Sequence, residues 1–76
     1  MKDLQELDRN IFQLMMAHKD NLYVEVKYFK DNEYHRIDGY IDSINYQERY
    51  IDVVDKLGYK EFTTIKFEDI IDVFII

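Results

Sequence analysis

The spacing of apolar positions changes once along the chain, near Asp20-Asn21, from a period of about 3.6 residues to a period of 2. Before this point the pattern predicts an amphipathic helix over residues 3–18, with Asp3 as its N-cap. The residues expected on its inner face are Leu4, Leu7, Ile11, Leu14, Met15 and His18. Phe12 and Met16 widen the apolar face, so the helix either only completes a core or also contacts a partner.

From Leu22 onward apolar and polar residues alternate, which predicts half-buried strands separated by polar turns. The first strand directs Val24 and Val26 inward, and a polar turn at 30–33 leads into a second strand over 34–44. Gly39 in this strand marks a bend or the close approach of another backbone. The later strands are expected to direct Ile51, Val53, Ile65 and Phe67 inward, and a single helical turn at 67–70 precedes a last strand over 71–76.

One helix followed by five short strands predicts a single domain over residues 1–76 that is mainly β. Residues 22–76 are expected to form a small, strongly bent five-stranded barrel of the Sm-like or SH3-like kind. A long second strand bent at Gly39 would allow so small a sheet to curl.

The composition of the chain excludes some kinds of site and argues against some kinds of partner. The chain has no cysteine, so disulfides and thiolate metal sites are excluded. The formal net charge is −6, and residues 41–76 contribute −4 of it. Such a field repels phosphate backbones and anionic lipid surfaces. No apolar run is long enough to span a bilayer and the first residues lack the apolar core of a signal peptide, so we predict a cytoplasmic protein without membrane contact.

The residues that carry chemistry do not form a recognisable catalytic set. Ser43 has no base near it in the sequence, and His18 and His35 are far apart without ligand spacing. Carboxylates such as Asp38, Asp42 and Asp52 suit a hard cation, but a solvated acidic face explains them better. We therefore expect no enzyme activity, no cofactor and no metal.

The candidates for binding lie on the outer face. A hairpin centred near Tyr46 places Tyr40, Asp42, Tyr50 and Asp52 together there, and Phe74 stands in the very apolar last strand. Tyrosines in this setting serve plain sheet packing, a protein interface or stacking on bases. We predict a protein partner for these five residues. The alternative is nucleic acid bound by the mildly basic first turn, through Lys27, Lys30, His35 and Arg36.

Several segments resemble the YolD-like family of small proteins from Gram-positive bacteria. Residues 37–44 fit I-x-G-x-I-x-x-I, and segments 24–31, 50–53 and 65–73 together with the helix segment 4–9 extend the resemblance over nearly the whole chain. Full-length members often carry a further N-terminal segment, so the chain is expected to be a short form. The resemblance implies an accessory of Y-family translesion polymerases, the role proposed for these proteins.

The order of elements also resembles Sm-like barrels, including the bacterial Sm-like RNA chaperone. There too a helix precedes a bent sheet, a glycine sits in the second strand and a short turn precedes the last strand. This resemblance implies a homo-oligomer in which the last strand, residues 73–76, pairs with a neighbouring subunit. We therefore expect a non-enzymatic protein-interaction or accessory module; the alternative is an Sm-like oligomer that binds single-stranded nucleic acid.

Overall fold

The computed structural model describes residues 4–56, 58 and 61–76, and the side chains of those from Arg9 onward. The elements are α1 (Leu4–Asp20), β1 (Tyr23–Lys30), β2 (Glu33–Asn45), β3 (Tyr50–Val54), β4 (Thr63–Lys66), a 3₁₀ turn η1 (Phe67–Asp69) and β5 (Ile70–Ile75). The predicted order of elements is confirmed. The predicted N-cap Asp3 and the side chains of Leu4 and Leu7 lie outside the described residues.

Helix α1 stops where the apolar period changes. Asn21 adopts a left-handed φ of 54°, and the Leu22 amide donates to the Ala17 carbonyl at 2.9 Å. This arrangement satisfies an end carbonyl of the helix and reverses the chain. Leu22 then packs against the core, so the turn also sets the inward side of β1.

The five strands form one antiparallel sheet in the order β4-β3-β2-β1-β5. The chain is therefore mainly β with one N-terminal helix, as predicted. The described pairings leave β4 and β5 as two edges, so closure into a barrel is not confirmed. The helix packs against β2 and β5 and covers the inner face of the sheet.

The core confirms the inward residues predicted for the strands and corrects those predicted for the helix. Met15 is 47% exposed and His18 is also exposed, so placing both on the inner face was wrong. The buried line of the helix instead runs through Asn10, Leu14 and Ala17. Together with Leu14 and Ala17, the core contains Val24, Val26, Ile41, Ile51, Val53, Ile65, Phe67, Ile70 and Val73.

The helix is rotated relative to the orientation that hydropathy predicts. Small and polar side chains occupy its inner face, and the spacing of apolar residues does not identify them. Ala17 is fully buried, and Asn10 is 1% exposed. The Asn10 amide donates to the carbonyl of Ile71 at 3.2 Å, which ties the helix to β5. Bulky Met15 is left on the outside as a result.

Strand β2 contains the two features that shape the sheet. At Gly39 a β-carbon would lie 3.0 Å from Val53 Cγ1 and well inside contact distance of the Val54 carbonyl oxygen. The predicted close approach of another backbone is therefore confirmed. A bulge between Ile41 and Ser43 then shifts the pairing with β3, which leaves Asp42 as the extra residue.

Candidate interaction surfaces

The bulge divides the outer face on which four of the five partner-binding candidates were predicted to meet. Before the bulge, Tyr40 pairs with Val54; after it, Ser43 pairs with Asp52 and Asn45 with Tyr50. Tyr40 thus belongs to one part of the face, and Tyr50 and Asp52 belong to another. Placing all of them in one continuous group was wrong, because one extra residue in a strand changes which side chains share a face.

Tyr50 and Asp52 are held by neighbouring strands. Asp52 accepts hydrogen bonds from Ser43 at 3.1 Å and from Thr64 at 2.5 Å, one on each flanking strand. The Asn45 amide donates to the Tyr50 hydroxyl at 3.3 Å. Both side chains are half-buried, and their polar atoms tie β2, β3 and β4 together. The arrangement gives them a structural role.

Tyr40 and Phe74 lie on the other part of the face, over β1. Tyr40 stands opposite Tyr23 with ring centroids 5.1 Å apart in an edge-to-face contact. Phe74 is 45% exposed, pairs with Glu25, and lies 5.2 Å from the Lys27 ammonium. Asp42 is exposed at the bulge, where its carbonyl lies 3.2 Å from His18 Nε2 at the helix end.

The β1–β2 hairpin brings together the residues predicted for the nucleic-acid alternative. Its turn is formed by Asp31 and Asn32 with φ of 54° and 62°, which suits a two-residue hairpin loop. Lys27 stands directly opposite Arg36, and both lie near the Glu25 carboxylate, at 4.0 and 3.8 Å. The basic pair is therefore partly neutralised by an acid on the same face.

The other two basic candidates stand nearer the turn. The His35 ring stacks on Tyr28 at 5.1 Å, and its Nε2 lies 3.2 Å from the Lys30 carbonyl. Lys30 itself is exposed and pairs with Glu33.

The outer edge of β5, predicted to pair with a neighbouring subunit, is engaged over its first half. The Ile71 carbonyl accepts from Asn10, and the Val73 amide donates to the Asp72 carboxylate at 3.0 Å. Arg9 of the helix lies 3.6 Å from the same carboxylate. Ile75 and Ile76, further along, are exposed. Pairing through the last strand stays a prediction, and these contacts confine it to the strand's C-terminal end.

A surface on α1 shows a second apolar group. Phe12, Met15 and Met16 are 61%, 47% and 40% exposed, and they follow the spacing that places residues on one side of a helix. They are named here the helix stripe. Sequence spacing already marked Phe12 and Met16 as a widening of the apolar face, but it placed Met15 in the core.

A cavity of about 610 Å³ lies beside the helix. Ile11, Tyr46 and Phe67 supply its apolar lining, and Arg49 and Lys66 stand with Glu48 and Glu68 around it. Met15 follows Ile11 by one helical turn, so the helix stripe lies next to this cavity. An apolar floor with a charged rim is typical of protein-binding surfaces.

The groups that carry chemistry stand apart from one another. Ser43 donates to Asp52, and His18 and His35 contact backbone carbonyls on different elements. Among the described residues, no group of three His, Cys, Asp or Glu side chains is placed to hold a metal ion. No described helix is long and apolar enough to cross a membrane.

Comparison with known proteins identifies the family. The model of YolD-like proteins matches residues 2–74, which is nearly the whole chain. The chain therefore belongs to the YolD-like family, as the sequence motifs predict. No curated protein and no solved structure matches the chain.

Proposed function

We propose that this member of the YolD-like family is a non-enzymatic protein-binding accessory module, and that the helix stripe contacts its partner. The observation that carries the proposal is the exposure of Phe12, Met15 and Met16 beside a core that is already complete. Full burial of such a side chain contributes about 1.5–3 kcal/mol. Methionines also adapt their shape to a partner's surface. The stripe thus holds binding free energy that the chain's own fold does not use.

The cavity beside the stripe supports the same conclusion. A partner helix laid on Phe12 and Met15 would reach Tyr46, which is 53% exposed and contacts the Phe67 ring edge-to-face at 6.4 Å. Charged groups of both signs at the rim, Arg49 and Glu48 among them, would set its orientation.

The experiment is photo-crosslinking in the cell of origin. A benzoylphenylalanine placed at position 12 should capture one protein species other than a second copy of this chain. The same group placed at Tyr34, which is 80% exposed on the face of the sheet that the helix does not cover, should not capture it. Phe12→Ser with Met16→Gln should abolish co-purification of that species while changing stability by less than about 1 kcal/mol, because both side chains are on the surface. Identical captures at the two positions would refute the proposal.

The biological setting follows from the family. We propose a cytoplasmic protein in DNA maintenance, with a Y-family translesion polymerase as the partner class. Recovery of such a polymerase by the position-12 crosslinker, rising after DNA damage, is the expected result. Recovery of a partner with no link to DNA would retain the binding module and remove this setting.

The Sm-like or SH3-like barrel remains the proposed fold type. The strand order, a β2 of thirteen residues with its bulge, and η1 between the last two strands support it. An experimental structure of this chain, compared with solved Sm-like and SH3-like barrels, would test the assignment directly.

A second candidate function is the binding of single-stranded nucleic acid by an Sm-like oligomer. The observation that favours it is the grouping of Lys27, Arg36 and the 80% exposed Tyr34 on one hairpin. Binding to a single-stranded oligonucleotide that weakens steeply with salt and is lost in Lys27→Glu/Arg36→Glu would support it. The absence of binding at low salt would exclude it, since electrostatic affinity is greatest there.

A further inference from the structure

On the outer face of the β1–β2 hairpin, four cross-strand pairs each join two residues of the same chemical kind. Each such pair is called a rung. Pairing across the hairpin places Tyr23 opposite Tyr40, Glu25 opposite Asp38, Lys27 opposite Arg36, and Phe29 opposite Tyr34. Along the strands the order is therefore aromatic, acidic, basic, aromatic. These four rungs are named here the outer ladder.

Two of the four rungs, the charged ones, lower the stability of the single chain. Like charges directly opposite each other in a sheet are destabilising, and the ladder contains one acidic and one basic rung of this kind. Glu25 relieves part of this cost through Lys27 and Arg36, and Asp72 of β5 stands opposite Lys27 on its other side. Asp38 forms no ion pair within the part of the chain that the structure describes. The Arg36 side chain is 65% exposed, so its charge is directed mostly to solvent.

The aromatic side chains of the ladder are also partly exposed to solvent. Tyr34 is 80% exposed, and Phe29 and Tyr23 are 39% and 38% exposed. The rings within each rung contact each other edge-to-face, at 4.9 Å for Phe29–Tyr34 and 5.1 Å for Tyr23–Tyr40. Each rung thus presents a pre-formed aromatic pair, which loses little conformational entropy on binding.

The order of the rungs is complementary to its own reverse. Consider a second copy whose outer ladder faces the ladder of the first. A two-fold axis can lie between the two sheets, perpendicular to the strands and level with Val26 and Ile37. This axis places the two ladders against each other in opposite order. The acidic rung of each copy then faces the basic rung of the other, and each aromatic rung faces an aromatic rung. This is the condition for an isologous interface, in which one patch binds itself.

We propose that the outer ladder is a self-complementary dimer surface, and that its occupant is a second copy of this chain. A two-fold axis along the strands instead would place acid on acid, so charge selects one packing. This surface is distinct from the helix stripe and from the end of β5, so the proposal goes beyond the protein-binding function above.

The size of the ladder sets the strength of the dimer. Six residue steps along a strand span about 20 Å, and the two strands lie about 4.8 Å apart. Phe74 on the neighbouring β5 widens the patch by one strand. Such an area is at the low end for specific interfaces, below about 1,200 Å² in total. The dimer is therefore expected to dissociate on dilution and to weaken with salt.

The test exchanges charges on the ladder and measures self-association by sedimentation velocity over a dilution series. Glu25→Lys/Asp38→Lys makes both inner rungs basic and changes the net charge from −6 to −2. Lys27→Glu/Arg36→Glu makes both acidic and changes it to −10. Each variant alone should self-associate at least about tenfold more weakly than the original chain. An equimolar mixture of the two should recover association, because basic rungs then face acidic rungs.

A variant with all four charges exchanged separates pattern from net charge. Combining Glu25→Lys, Asp38→Lys, Lys27→Glu and Arg36→Glu restores the net charge of −6 and reverses the order of the rungs. It should self-associate like the original chain. Circular dichroism confirms that each variant is folded before the comparison.

Several outcomes would overturn the proposal. The first is the absence of any dimer of the original chain at the highest soluble concentration in low salt. The second is the absence of association in the mixture of the two oppositely charged variants although both are folded. The third is a change in the sedimentation of the original chain only on addition of a single-stranded oligonucleotide, lost in Lys27→Glu/Arg36→Glu, which would assign the ladder to nucleic acid.

Discussion

Replacing Gly39, buried in β2, with alanine is expected to destabilise the chain more than the same replacement at Gly58. The new β-carbon would collide with the Val54 carbonyl oxygen and would lie 3.0 Å from Val53 Cγ1. Val54 belongs to β3, which is held by hydrogen bonds to β2 on one side and to β4 on the other. The collision is therefore relieved only if two paired strands move apart.

The magnitude follows from these contacts. Overpacking of a rigid site costs about 1–3 kcal/mol, and strained strand hydrogen bonds add to this, which gives about 2–4 kcal/mol in total. A chain of 76 residues has about 4–11 kcal/mol of stability. The midpoint of thermal unfolding should thus fall by roughly 10–30 °C.

Thermal unfolding followed by circular dichroism is the assay, and Gly58→Ala is the matched control. Gly58 has a φ of +84° and nothing within 4 Å of a built β-carbon, so alanine there incurs only backbone strain of about 1–2 kcal/mol. If Gly39→Ala unfolds at the same temperature as the original chain or the Gly58→Ala control, close approach of β3 does not explain the glycine.

Further substitutions test the packing by urea unfolding. Leu14→Ala should lower the free energy of unfolding by about 2–5 kcal/mol, because Leu14 is buried. Met15→Ala should lower it by less than about 0.5 kcal/mol, because Met15 is exposed. Equal losses would contradict the rotation of the helix. Asn10→Asp should cost about 2 kcal/mol or more at neutral pH and less at acidic pH, since an ionised carboxylate cannot donate to β5; a loss independent of pH would contradict this. Ser43→Ala should cost about 0.5–1.5 kcal/mol through its bond to Asp52, and the same loss in an Asp52→Ala background would show that the bond contributes nothing.

Much of the sheet could be predicted from the sequence because its signals are local. Strict alternation places Val24 and Val26 inside, and the polar turn at 30–33 sets the hairpin that pairs Lys27 with Arg36. The same turn determines every rung of the outer ladder. Asp31 and Asn32 tolerate the positive φ that the turn requires.

The bulge in β2 was not predicted, although the sequence contains a signal for it. Ile41 is buried and Ile44 packs against the same core, three positions later, which a strand without an extra residue does not allow. Reading strict alternation through Asp42 therefore grouped it with Asp52. The interval between the two isoleucines marks where alternation fails.

The orientation of the helix could not be obtained from hydropathy. Asn10 is buried because its amide reaches a carbonyl of β5, a contact that depends on a residue sixty-one positions away. Ala17 is buried because the helix approaches the sheet closely there. Tertiary contacts of this kind determine which of several apolar residues face inward, so Met15 and Met16 remained available for the helix stripe.

The most direct measurement is an NMR dilution series on the uniformly labelled chain, with every backbone amide followed. If this fold presents binding surfaces and the outer ladder is one of them, concentration-dependent shifts should concentrate at Glu25, Lys27, Arg36 and Asp38. Amides of α1 should stay unchanged, and added salt should reverse the shifts. Shifts confined to Phe74–Ile76 would instead assign self-association to the end of β5, and spectra independent of concentration would contradict a dimer on the ladder.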